Sequence, residues 1–105
     1  MKPVLRAPAA RQDRRGEVLC YRTEAGPRVA KKLVDALKKS LQALEQQPGR
    51  GSPAIGKEFD IDGLRAWRLD RFPLSFWYFE RAEHVLVVRL VGQRQDPEYL
   101  AVIVD

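Results

Sequence analysis

Three runs decide the fold: Leu64-Arg65-Ala66-Trp67-Arg68-Leu69, Leu74-Ser75-Phe76-Trp77-Tyr78-Phe79 and Val85-Leu86-Val87-Val88-Arg89-Leu90-Val91. Each is short and rich in the aromatic and branched side chains that suit a pleated surface. Between them stand Asp70-Arg71-Phe72-Pro73 and Glu80-Arg81-Ala82-Glu83. Spacers of about four residues close hairpins and are too short for the crossover that parallel neighbours require. The runs therefore predict an antiparallel three-stranded meander. The third run is apolar at both parities, as in a strand that is central in its sheet or covered on both faces, and only Arg89 interrupts it.

Upstream of the meander, Val29, Leu33, Leu37, Leu41 and Leu44 recur at steps of three and four, with Lys31, Lys32, Asp35, Lys38, Lys39, Gln42 and Glu45 on the opposite side. That period predicts an amphipathic helix, opened by Gly26-Pro27 and closed by Pro48-Gly49. Burying its five apolar side chains contributes roughly 7–15 kcal/mol in gross transfer terms, so the helix must lie on an apolar surface. A thinner stripe of Ala10, Val18 and Tyr21 suggests an earlier helix over about residues 9–22, although Arg14 falls among them and Gly16 costs about 1 kcal/mol relative to Ala. Pro3-Val4-Leu5-Arg6 reads as a first strand, and Pro8 suits the first turn of the helix that follows. The stretch from Gly49 to Gly56 has no period and many turn residues, and reads as an extended surface connection. The expected architecture is α+β: a strand, a two-helix hairpin packed on one sheet face, and the meander, forming one domain over residues 1–105. The other sheet face and the strand ends are expected to be free for recognition.

The chain has 105 residues, 19 Lys and Arg against 14 Asp and Glu, and a formal net charge of +5. That surplus favours approach to nucleic acid or to an acidic protein. No apolar run nears the roughly 20 residues of a membrane span, and Val4-Leu5 is too short for the core of a signal peptide, so a cytoplasmic protein is expected. Cys20 is the only cysteine and His84 the only histidine. An internal disulfide is excluded, a zinc site of the usual ligand types is not supported, and no cofactor is implied. His84 stands near no serine or cysteine nucleophile in sequence and reads as a turn residue, not a general base.

Arginines fall repeatedly in and beside the strands: Arg65, Arg68, Arg71, Arg89 and Arg94. Planar guanidinium groups bind carboxylate or phosphate through two oxygens at once, so these five are the candidate target-binding residues. Taken singly, each is more often a solvated strand residue paired to a neighbouring carboxylate. Arg89 differs because its neighbours are aliphatic, and an unpaired buried charge is costly. Either it pairs internally or its head emerges at a groove. Trp67, Phe72, Phe76, Trp77, Tyr78 and Phe79 are concentrated in the first hairpin, where alternation sends most of them into the core. Tyr99-Leu100-Ala101-Val102-Ile103-Val104 reads as an edge strand or as a tail that needs a partner.

Gly63-Leu64-Arg65-Ala66-Trp67-Arg68-Leu69-Asp70-Arg71-Phe72-Pro73, then Phe76-Trp77-Tyr78, then Val85 to Val91 and Gly92-Gln93-Arg94-Gln95-Asp96 resemble the second half of ParE-type toxins of the ParE/RelE superfamily. The long helix ending at Pro48-Gly49 extends the likeness over nearly the whole chain, and its specificity lies in the order and spacing of short motifs. The resemblance implies a growth-inhibiting toxin of a type II toxin–antitoxin system. DNA gyrase is then the expected target and a ParD-like protein the cognate antitoxin, docking on an apolar surface that includes Leu100, Val102 and Ile103. It also supplies a second mechanism, from the RelE branch: ribosome-dependent cleavage of mRNA, with Arg71, Arg89 and Arg94 as phosphate ligands and Tyr99 as proton acceptor. The strand at the position of that branch's lysines, Leu64 to Leu69, contains none, which favours binding over nuclease chemistry. Many ParE members carry a histidine near the position of Gly92 or Gln93, which this chain lacks.

Overall fold

The structure is a computed structural model, and the residues it describes are 1–92. Arg94, Tyr99, Leu100, Val102 and Ile103 lie outside the described residues. Strand β1 (Val4–Arg6) leads into helix α1 (Pro8–Ala25), which Gly26 joins directly to helix α2 (Pro27–Gln46). A single 3-10 turn (Pro48–Arg50) and a short helix α3 (Ala54–Glu58) precede strands β2 (Leu64–Arg68), β3 (Leu74–Glu80) and β4 (Val85–Gly92). Both long helices begin with proline, where the missing N–H has no intrahelical partner to lose. Gly26 makes the one-residue joint possible because it adopts φ 95, a backbone conformation that side chains disfavour.

The predicted meander is present, and β1 completes its sheet. The strand order is β1-β4-β3-β2, with β1 parallel to β4 and the other pairs antiparallel. Strand β4 is thus central, and both of its faces meet apolar surface. On one face Val85, Val87 and Leu90 join Leu33, Leu37 and Leu44 of α2 with Phe76 and Tyr78 of β3. On the other, Val91 joins Leu64, Trp77 and Phe79, with Ile55, Phe59 and Ile61 packed against them. The alternation does not run evenly between these faces. Tyr78 is opposite Val87 and Trp77 opposite Arg89, so Val88 is the extra residue of a β-bulge. The bulge changes parity, bringing Leu90 to the helix side and Val91 to the other.

Two expectations need correction. Residues 49–56 are not simply an extended connection, because they contain the end of the 3-10 turn and the start of α3. Helix α3 has no apolar period of its own; Gly56 holds it against β2, and a Cβ there would meet the carbonyl oxygens of Leu64 and Ile61 at 2.6 and 2.7 Å. The second sheet face is also not left free, since residues on and beside α3 cover part of it.

Of the five residues in the apolar stripe of α2, Leu33, Leu37 and Leu44 are completely buried. Val29 and Leu41 are partly exposed at the edges of the stripe. Among the described residues no helix is long and apolar enough to cross a membrane, and no group of three His, Cys, Asp or Glu side chains forms a metal cluster. Leu37→Ala is expected to destabilise the fold by about 2–5 kcal/mol in urea unfolding, because the lost contacts leave a cavity. Leu19→Ala, at a position 63% exposed on α1, is expected to stay within about 0.5 kcal/mol of the parent.

Candidate functional site

The arginines of the meander divide into two kinds. Arg65 and Tyr78 are cross-strand partners, and both grip the turn that follows α2. Arg65 Nη1 donates to the carbonyl oxygens of Gly49 and Gly51 at 3.2 and 2.7 Å. Tyr78 Oη donates to Pro48 O at 2.7 Å and accepts from the Gly51 amide at 2.9 Å. Glycine is required at 51, since a Cβ there would run into the Tyr78 ring and hydroxyl. Burial drives the Tyr78 hydroxyl above its ordinary pKa, against the smaller opposing effects of the Gly51 amide and the Arg65 charge.

Arg89 takes the first of its two alternatives and pairs internally. Its Nε and Nη2 donate to Oδ2 and Oδ1 of Asp13 at 2.7 and 2.8 Å, a two-point geometry between side chains that are each 9% exposed. The same Asp13 Oδ2 accepts the backbone amide of Leu90 at 3.0 Å. This amide lies beyond the last residue of β4 that β1 pairs, Val87, so the carboxylate of α1 takes over where the strand partner stops. Arg89 Nη1 is buried with no hydrogen-bond partner among the described residues.

Arg68 and Arg71 are exposed, and neither forms an ion pair among the described residues. Arg68 closes β2, and Arg71 occupies the turn to β3 at φ 71, a left-handed backbone conformation unusual for a residue with a long side chain. Such conformations cost on the order of 1–3 kcal/mol and persist where surrounding structure enforces them. The turn faces α2 across a hollow of about 510 Å³, lined by Lys32, Asp35, Ala36, Lys39, Ser40, Asp70, Arg71 and Phe72. An adjoining hollow of about 550 Å³ shares Lys39 and Arg71 and adds Arg50, Trp67 and Arg68. The Arg50 guanidinium carbon stands 5.4 Å from the Trp67 ring centroid, and Arg50 Nη1 donates to Gln47 Oε1 at 3.2 Å. A cation thus already occupies that aromatic face. Phe76, Trp77, Tyr78 and Phe79 are in the core, which leaves the hairpin without an open stacking platform on those four rings.

The arrangement brings Arg68 and Arg71 together with Lys39 and Arg50 on one concave surface, and sends Arg65 and Arg89 inward as fasteners. Lys39 and Arg50 escaped the sequence reading because one is indistinguishable from its solvated neighbours and the other lies in an aperiodic turn. Asp13 escaped it too. Its only signal was a lone carboxylate among Arg11, Arg14 and Arg15 on a helix with a thin apolar stripe. His84 is in the turn between β3 and β4, where its carbonyl accepts the Arg81 amide at 2.8 Å.

The family model described as "ParE toxin of type II toxin-antitoxin system, parDE" matches residues 4–97, so the chain belongs to the ParE toxin family. Among solved structures, a chain of the chromosomal ParDE toxin–antitoxin system from P. aeruginosa is similar at TM-score 0.74 and 22% identity, over 88% of this chain and 96% of that one. At that identity the likeness shows the fold. No curated protein matches.

Two outcomes follow from the fasteners. Asp13→Asn leaves the Arg89 charge buried without its counterion and is expected to cost about 3–5 kcal/mol in chemical unfolding. For Tyr78 the folded protein holds the phenolic proton more tightly than the unfolded chain. Its contribution is therefore complete below the unfolded value near about 10 and is lost as pH rises through the folded value. Unfolding midpoints measured above pH ~10 should fall more steeply for the parent than for Tyr78→Phe.

Proposed function

We propose that this chain arrests bacterial growth by binding DNA gyrase and that a cognate ParD-like antitoxin neutralises it. The reading rests on the family match over residues 4–97, which establishes a type II toxin, and on the resemblance of the meander to ParE-type toxins. Arg68 and Arg71, exposed and without an ion pair among the described residues, are the target-facing groups in this proposal, with Arg94 beside them in the family motif. Arg65 and Arg89 act one step back, holding the strands that carry the surface. Leu100, Val102 and Ile103 remain the proposed antitoxin anchors.

A binding mechanism also accords with the chemistry at Arg89. The nuclease reading asks this side chain for a phosphate, yet its Nε–Nη2 edge is held by Asp13 and its remaining nitrogen, Nη1, is buried. Handing that edge to a phosphate would strand a buried carboxylate.

The test is expression without an antitoxin, followed by assays on purified protein. Growth should stop and gyrase supercoiling should be inhibited. The double variant R68A/R71A should retain its circular dichroism spectrum while losing about tenfold or more in inhibition, equivalent to at least about 1.4 kcal/mol of binding. Ribosome-dependent mRNA cleavage with untouched gyrase would replace this mechanism with the RelE one.

A further inference from the structure

The positive charge of the chain does not reside where the arginine motifs are. Residues 1–46, comprising β1 and the helical hairpin, hold eleven Lys and Arg against five Asp and Glu. The remaining residues hold eight against nine, so the helical part carries the entire surplus. One of its five carboxylates, Asp13, is consumed internally by Arg89. Arg28, Lys31, Lys32, Lys38 and Lys39 follow one another along the solvent side of α2, all exposed. None of them forms an ion pair among the described residues. On α1, Arg11, Arg15 and Arg22 are likewise exposed. Where α1 leaves β1, burial, and after it the charge of Arg6, lower the pKa of Arg14.

We infer that the outer face of the α1–α2 hairpin, centred on Arg28, Lys31 and Lys38, is a binding surface for the sugar–phosphate backbone of nucleic acid. The composition of this face selects that partner over an acidic protein. Protein interfaces depend on aromatic and apolar anchors and are depleted in lysine, whereas nucleic-acid surfaces are polar and strongly positive. Leu19 is the only large apolar side chain exposed on the two helices among the described residues. The eleven steps from Arg28 to Lys39 rise about 16 Å along the helix axis. Duplex DNA presents one charge per roughly 1.7 Å of its length, so several phosphates lie within reach of that row. With lysine and arginine as its charged donors and no exposed aromatic side chain on this face among the described residues, the contact is made to the backbone and is independent of sequence. The inference does not depend on gyrase as the target; it assigns a second surface to the same chain.

Fluorescence anisotropy of the full chain with labelled 20-base-pair duplexes of two unrelated sequences tests it. Binding should be equal for the two and should weaken steeply between about 50 and 200 mM salt. The triple variant R28Q/K31Q/K38Q should bind more weakly, with the slope of log affinity against log salt reduced by about 2.7, or 0.9 for each lost contact. R68Q/R71Q, on the meander, should bind as the parent does. Circular dichroism of both variants confirms folding. Three results would overturn the inference: no salt-dependent binding by the parent, an undiminished slope in the helix variant, or polyglutamate of equal charge competing as well as unlabelled duplex. Gyrase inhibition is not a readout here, so a failure of this surface and a failure of the proposed target are told apart.

Discussion

The structure depends on one carboxylate. Strand β1 is only three residues long and pairs with β4 as far as Val87, yet β4 continues to Gly92. An unprotected central strand end would leave polar backbone in a protein-covered place, where an unsatisfied group costs about 1–3 kcal/mol. Asp13 resolves this by reaching from the second turn of α1 to the Leu90 amide while binding Arg89 at two points. A helix, a strand and a buried charge are thereby fixed to one another through a single side chain. The bulge at Val88 belongs to the same solution, because the parity change returns Leu90 to the core beneath the helices.

With that joint in place, the other parts have defined duties. Arg65 and Tyr78 hold the turn after α2 against the sheet, so that α2 and the β2–β3 turn face each other across a concave cationic surface. Arginines in this family motif thus serve two ends. Those with internal acceptors set the geometry, and Arg68 and Arg71, which have none among the described residues, stay exposed. The outer helical face centred on Arg28, Lys31 and Lys38 differs from the concave surface in composition and adjoins it at Lys32 and Lys39. Lysine and arginine there come with Leu19 as the only large exposed apolar side chain on the two helices among the described residues.

Much of this was legible from the residues alone. The leucine steps of α2, the proline and glycine at its ends and the three short strand runs are local signals, each set within a few residues by backbone preference and burial period. The double-faced apolar pattern of β4 correctly indicated a central strand. What was hidden depends on distance in sequence. Nothing near Asp13 announces a partner 76 residues away, and the aliphatic surroundings of Arg89 showed only that some partner had to exist. The bulge leaves no trace in an all-apolar run, since parity cannot be read where every residue is apolar. Helix α3 has too few residues for a period, and its place comes from the close approach of Gly56 to β2. For the site, residue type identified the candidate arginines but not which were committed inside, because this depends on where helices and turns supply acceptors.

The most direct measurement of the central claim is native-state hydrogen exchange at the Leu90 amide. If the Asp13 carboxylate stands in for the missing strand, that amide exchanges only when the whole protein unfolds, with the same opening free energy as the ladder amides of β3. Exchange at the rate of an open strand edge, while those β3 amides stay protected, would contradict it.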